Sequence, residues 1–323
     1  MFNRLGFAEA VFSYNAFLYT YSMLACPKRI AFLLFLFPIF TFAQYNHELG
    51  FDSDNDAYFP PLGDEYYTNG LDIFFRIRNT TINKPRALTF RIGQDMYTPF
   101  SVIFEDPQFH DRPYAGYLYA SGEMDLFLAP ENLLTGGLEV GTTGEDSGAQ
   151  TFQEFLHDII PSFAEPVGWE SQIGNEVGFR AFGSFQRLFY QSETGMFTGK
   201  VNASAGNQFV NGRIELSYLA GNMQAFNESI WTNFNSTGTK EFFWFITPGI
   251  ELIGYDATLD GARSAINPVV RESKSMVLTG ETGALFAKKH WNVKLSLNLE
   301  GKRTDAQMNG HQYLTIGGAY KFK

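Results

Sequence analysis

Three stretches of this chain concentrate side chains able to do chemistry: Asp52-Ser-Asp-Asn-Asp56, Tyr66-Tyr-Thr-Asn-Gly70, and a helix-like segment carrying His157. Clustered Asp and Asn oxygens suit a hard cation, and an imidazole is the side chain best matched to taking a proton from water near neutral pH. Carboxylates, a hydroxyl and an imidazole at one end of one β-barrel would make a hydrolytic site. The helix–loop–helix calcium motif is excluded, because Ala57 stands where its sixth-position glycine belongs and no glutamate closes twelve residues.

His157 needs an element to carry it. Ser147-Gly-Ala-Gln150 has capping-box spacing, and Pro161 ends the stretch. Phe152, Leu156 and Ile159 recur at i, i+4, i+7 and are expected to pack down onto a barrel. His157 then falls on the opposite side, in line with Gln153 and Gln150, facing substrate or water. The acids need a strand end. Strict alternation points Asp52, Asp54 and Asp56 inward and Asn55 outward, so Asn55 and Asp56 share a ligand only where a turn or bulge intervenes. The same acids could instead line a polar lumen or meet Arg76, Arg91 and Arg112. Arg112 is equally suited to a phosphate-bearing headgroup.

Those elements belong to an all-β chain. Trp291, Val293, Leu295, Leu297 and Leu299 alternate with polar residues up to Glu300, and the same rhythm runs through 71–78, 213–218 and 314–322. Counting such segments predicts about twelve strands, near 45–56, 67–78, 86–97, 115–128, 133–142, 177–190, 197–208, 213–222, 241–256, 274–288, 291–301 and 311–322. An even number suits a closed transmembrane antiparallel β-barrel with a short helix in an extracellular loop. A soluble sandwich would show the same alternation. Phe 34, Tyr 16 and Gly 31 favour the membrane barrel with aromatic girdles. One connection, 223–240, is too long for a periplasmic turn and suggests a miscount.

The amino-terminal 43 residues read as a mis-assigned start followed by a signal peptide. Met23 opens the better pattern, with Lys28, Arg29, an apolar run from Ile30 to Phe42, and Thr41-Phe-Ala43 before a cleavage near Ala43. Residues 44–323 then form a single domain. The only cysteine, Cys26, would be removed, which leaves neither a disulfide framework nor a thiol nucleophile. Loss of Arg4, Lys28, Arg29 and Glu9 takes the formal charge from −10 to −12. Nucleic acid is thereby excluded as an expected partner, since phosphate binding needs a basic stripe.

At Asp54-Asn-Asp56, Tyr66-Tyr-Thr-Asn-Gly70, Gln94-Asp-Met-Tyr-Thr-Pro99, Asp111-Arg-Pro-Tyr-Ala-Gly116, Ser147-Gly-Ala-Gln-x-x-Gln-x-x-x-His157 and Gly168-Trp-x-x-Gln-x-x-Asn-Glu176, the chain resembles the lipid A 3'-O-deacylase (LpxR-like) family of outer-membrane proteins. The resemblance implies a twelve-stranded barrel in the outer membrane of a Gram-negative bacterium, its site between the wall and a loop helix on the extracellular side. It implies lipid A, or lipopolysaccharide, as substrate, Ca²⁺ as cofactor, and His157 as the group that activates water. The family's Asn-Asp pair falls on Asn55 and Asp56, and its strand-two hydroxyl on Thr68. Two departures stand out. Phe163 occupies the place of a glutamate some members carry, leaving Glu165 as a replacement metal ligand if the loop shifts. The adjacent basic pair of some members is absent from 100–110. The alternatives are an outer-membrane phospholipase-like esterase and a non-catalytic small barrel that binds a ligand, with Asp54, Arg112, Gln153 and Gln150 as supporting or substrate-binding residues in the enzyme readings.

Overall fold

The computed structural model describes residues 44–58, 65–80, 84–159 and 166–323. The expected signal peptide and its cleavage near Ala43 lie outside the described residues, as do Phe163 and Glu165.

Twelve strands form one closed barrel: β1 (His47–Asn55), β2 (Tyr66–Asn79), β3 (Arg86–Thr98), β4 (Ala115–Ala129), β5 (Asn132–Thr143), β6 (Val177–Gln191), β7 (Gly195–Gly206), β8 (Phe209–Asn222), β9 (Glu241–Asp256), β10 (Met276–Lys288), β11 (Trp291–Glu300) and β12 (His311–Phe322). Each pairs antiparallel with its sequence neighbours, and β1 pairs with β12 to close the ring. The segments expected from alternation are all present, with ends displaced by no more than four residues. Among the described residues the α-helices are α1 (Ala149–Ile159) and the single turn α2 (Ala257–Asp260). No helix among the described residues is long and apolar enough to cross a membrane.

Alternation separates two environments. Leu49 and Phe51 of β1, Ile73 of β2, Ile92 of β3, Leu138 of β5 and Leu295 of β11 project outward and are exposed, as a lipid-facing band requires. The intervening residues fill the lumen with paired charges. Glu48 bridges Arg76 at 2.6 Å and Arg78, and also accepts from Asn292. Arg91 meets Asp72 at 2.9 Å, Arg180 meets Glu139 at 2.7 Å, and Arg303 joins Glu251 and Glu300. Buried charges persist only where each is answered in this way.

The connections alternate in length between the two ends. The end holding 56–65, 99–114, 144–176 and 257–275 is the loop rim. Segment 223–240 lies at the other end and is no miscount. Instead of making a tight turn it folds into the barrel mouth, where Phe226, Ile230 and Phe234 pack with Phe127, Met196, Leu219, Phe243 and Phe245. Glu241 holds it there, accepting from Ser229 Oγ at 2.6 Å, Ile230 N at 2.9 Å and Gln224 N at 3.0 Å. Its length is explained by the apolar plug it builds.

Candidate active site

The loop rim begins where β1 stops alternating. Asn55 Oδ1 accepts from Ala57 N at 2.7 Å, an Asx turn that curls Asp56–Tyr58 into a single 3-10 turn. Asp54, still on the strand, points into the lumen and accepts from Tyr67 OH at 3.1 Å. Asp56, released by the turn, lines an outer-surface cleft that also contains lipid-facing Leu278 and Leu299. The turn required for Asn55 and Asp56 to act together is therefore present. Asp56 Oδ2 accepts from Glu65 N at 2.6 Å, which pins the far end of the same connection beside it.

Thr68 comes from a bulge. Tyr67 pairs with Tyr97 and Asn69 with Met96, so Thr68 is the extra residue between them, while Asn69 stands opposite Asn55. The Thr68 hydroxyl shares a 2.7 Å hydrogen bond with Thr98 Oγ1, and both residues are buried. Tyr66, just before the bulge, holds φ at +59°, a conformation costing about 1–3 kcal/mol for a bulky residue. Its hydroxyl offsets this by donating to Asp111 Oδ2 at 2.8 Å and accepting from Met308 N at 3.0 Å.

Helix α1 packs against β3 and β4. It lies on their outer surface, because its contacts Gln94 and Met96 share the face of outward Ile92, with Gln94 Nε2 donating to Ser147 O at 2.6 Å. Close approach depends on Gly116, where a Cβ would sit 2.0 Å from Ser147 Oγ and 2.4 Å from Ala149 Cβ. The expected capping box is not formed. Gly148, at φ +69°, immediately precedes the helix, and Gln150 Nε2 reaches forward to Glu154 Oε1 at 2.8 Å.

The expected orientation of α1 is also corrected. Ala149 and Gln153 are buried, and Gln153 Oε1 accepts from the buried indole of Trp169 at 2.7 Å. Ala149 and Gln153 are turned to the wall together with Phe152, which is partly buried against the same cluster, while the side chain of Ile159 lies outside the described residues. A polar residue can lead the buried face because the face it meets contains a tryptophan N–H needing an acceptor. His157 is half-buried, two turns beyond Ala149.

All three sequence clusters thus meet the same rim. Asn55, Asp56 and Thr68 occupy adjoining positions on β1 and β2, and the helix bearing His157 covers the outer surface of the next two strands. Asp54 and Arg112 are not brought to them. Arg112 lies fully buried above the lumen, its guanidinium 4.5 Å from the Tyr97 ring and donating to Thr258 Oγ1 at 3.1 Å. Burial lowers its pKa to about 10, so it stays charged at neutral pH. Gln150 faces the helix surface, and Gln153 serves Trp169.

Glu65 was missed by sequence reasoning; its only signal was its place immediately before Tyr66. Burial, and then the negative charge of Asp111, raise its pKa. A cation near Asp56 and Glu65 would relieve that penalty, and Asn55, Asp56 and Glu65 offer the hard oxygens such an ion prefers. Among the described residues no three acidic, His or Cys side chains form a ready metal cluster. The donor chemistry fits, but the set is incomplete.

The sequence profile of the family described as "Outer membrane protein LpxR" matches residues 29–322. The chain belongs to the LpxR family of outer-membrane proteins. Among solved structures, LpxR from Salmonella typhimurium is similar at a TM-score of 0.70 and 20% identity, over 85% of this chain and 100% of that one. The β-domain of the Bordetella autotransporter BrkA is a looser likeness, at a TM-score of 0.49 and 12% identity over 87% of this chain and all of the other. No curated protein sequence matches. The LpxR likeness bears out the twelve-stranded barrel, and membership of the family bears out an outer-membrane location.

Proposed function

We propose that this LpxR-family protein is a lipid A deacylase, an esterase that removes an acyl or acyloxyacyl chain from lipopolysaccharide in the outer leaflet. The observation that carries the reading is the side of the wall on which the site is built. Asn55, Asp56 and the covering helix are on the lipid-facing surface, where a membrane ester can arrive laterally without entering the charge-filled lumen.

In this mechanism His157 takes a proton from water in the gap between α1 and the wall. The resulting hydroxide adds to the ester carbonyl, the acyl C–O bond breaks, and His157 returns the proton to the departing alkoxide. No serine nucleophile is needed. Thr68, held by Thr98, orients water or the carbonyl oxygen. Asn55 and Asp56, with Glu65 beside them, would hold Ca²⁺, which when bound supplies positive charge to the developing oxyanion. Glu165 remains a further ligand candidate outside the described residues. The loop rim is then the extracellular end.

The test is lipid mass spectrometry of outer membranes with and without the protein. The expected result is lipid A lighter by one acyl or acyloxyacyl chain, lost on calcium chelation or with His157→Ala while the barrel still inserts. Unchanged lipid A alongside new lysophospholipid would replace this reading with a phospholipase. Full activity in both the chelated and the substituted protein would overturn the mechanism.

A further inference from the structure

Beside Asp56 the outer surface carries a cleft of about 640 Å³, inside the ~300–1,000 Å³ range of small-molecule sites. It runs away from α1, across the loop-rim ends of β12, β11 and β10. Asp56 and Glu65 form one end. Leu278 and Leu299 form the other, and both are exposed on the lipid face. Between them, Gly280 stands opposite Leu299 in the β10–β11 register. A Cβ there would meet nothing nearer than Leu299 Cβ at 3.9 Å, so the floor is open because the side chain is missing.

Charge decides what such a cleft can accept. Its described lining includes three carboxylates, Asp56, Glu65 and Glu300, and no lysine or arginine. Among the described lining residues a phosphate would find no basic side chain along the stretch between Glu300 and the two leucines. An uncharged chain with a polar carbonyl at one end matches both ends of the cleft.

We propose that this cleft holds the acyl chain to be released, its ester end at Asp56 and its methylenes laid over Gly280 between Leu278 and Leu299, and that Gly280 sets the chain length accepted. The assignment rests on the esterase reading above and extends it to substrate selection. Chain discrimination arises here because each methylene that fits gains contact, while a filled floor excludes the longer chains first.

The test compares hydrolysis of otherwise identical esters bearing butyryl and long saturated acyl chains, together with mass analysis of the fatty acids freed from lipid A. Gly280→Leu and Gly280→Phe are expected to lower the long-to-short rate ratio by about tenfold or more, with the larger residue acting more strongly. Leu299→Ala, which widens the cleft, is expected to move the ratio the other way. Leu252→Ala, lipid-facing on β9 and outside the cleft, should keep the wild-type ratio. Heat-dependent gel mobility reports whether each barrel has folded. Folded Gly280→Leu, Gly280→Phe and Leu299→Ala proteins that keep the wild-type ratio would overturn the chain assignment and leave the deacylase reading standing. A wild-type protein that frees no acyl chain from any ester would sink the deacylase reading itself, and the cleft assignment with it.

Discussion

Asp54 and Asp56 are two residues apart, yet they belong to different parts of the molecule. Asp54 sits in the lumen, bonded to Tyr67, among acids and bases that answer one another across the barrel. Asp56 sits one residue beyond the strand end, on the outer surface, next to Glu65 and to leucines that face lipid. The lumen contains the denser charge and the outer rim the sparser, but the sparser group is the one the proposed deacylation uses. The two acids differ in surroundings: Asp54 is enclosed by lumen side chains, whereas Asp56 lines a cleft whose other walls include Leu278 and Leu299.

The sharpest way to break the contrast is to neutralise each acid in turn. Asp56→Asn is expected to lower deacylation by at least ~100-fold, the scale of losing one electrostatic contributor to an acyl-transfer site. Asp54→Asn should leave the rate within a few-fold, as read by lipid mass spectrometry normalised to folded protein. Equal losses would erase the distinction between lumen and rim.

The lumen should respond in stability instead. Glu48→Gln leaves Arg76 and Arg78 buried without their shared carboxylate and is expected to cost about 3–5 kcal/mol in urea unfolding of the barrel in vesicles. Activity per folded molecule should persist.

Between these extremes lies α1. Gln153→Ala strands the buried Trp169 indole N–H, with an expected penalty of about 1–3 kcal/mol felt at the helix. The expected signature is a lower kcat as His157 loses its fixed position, with enhanced proteolysis of 149–159 and an unaltered barrel transition. A change in KM alone would instead make Gln153 a substrate contact, as its sequence position suggested.

Glu65 offers the smallest and most diagnostic effect. Its raised pKa means that the folded chain holds more protons than the unfolded one between the ordinary glutamate value and the raised one. Stability in chelator should therefore fall as pH climbs through that interval, and Glu65→Gln should lose this slope. Added calcium should stabilise the wild type above the interval and have less effect below it, as thermal unfolding over a pH series would report. A slope unchanged by the substitution would separate Glu65 from the acidic rim.

Most of the barrel was legible because alternation is written directly in residues such as Trp291 to Glu300, and because lipid on one side and ion pairs on the other enforce it. The candidate residues at the rim, Asn55, Asp56, Thr68 and His157, were legible as candidates through residue types and the ordered stretches that resemble a known family. What alternation could not give was any position where the strand pattern fails. Thr68 stands in a bulge, Asp56 follows an Asx turn, and Glu65 reaches Asp56 only through a backbone hydrogen bond across their connection. Segment 223–240 looked like an error in counting because the partners of its apolar residues are gathered from the flanking strands β8 and β9 and from distant Phe127, Met196 and Leu285 alike.

The sequence by itself determined the class of fold, the number of strands and the side chains able to do chemistry, since these follow from local periodicity and residue type. Only the tertiary structure decided that Gln153 turns to the wall, that Arg112 braces the lumen, and that Gly280 opens a cleft beside Asp56. Those outcomes depend on which face of which distant strand each residue meets, and contact across a closed barrel is set by register and burial that no local pattern encodes.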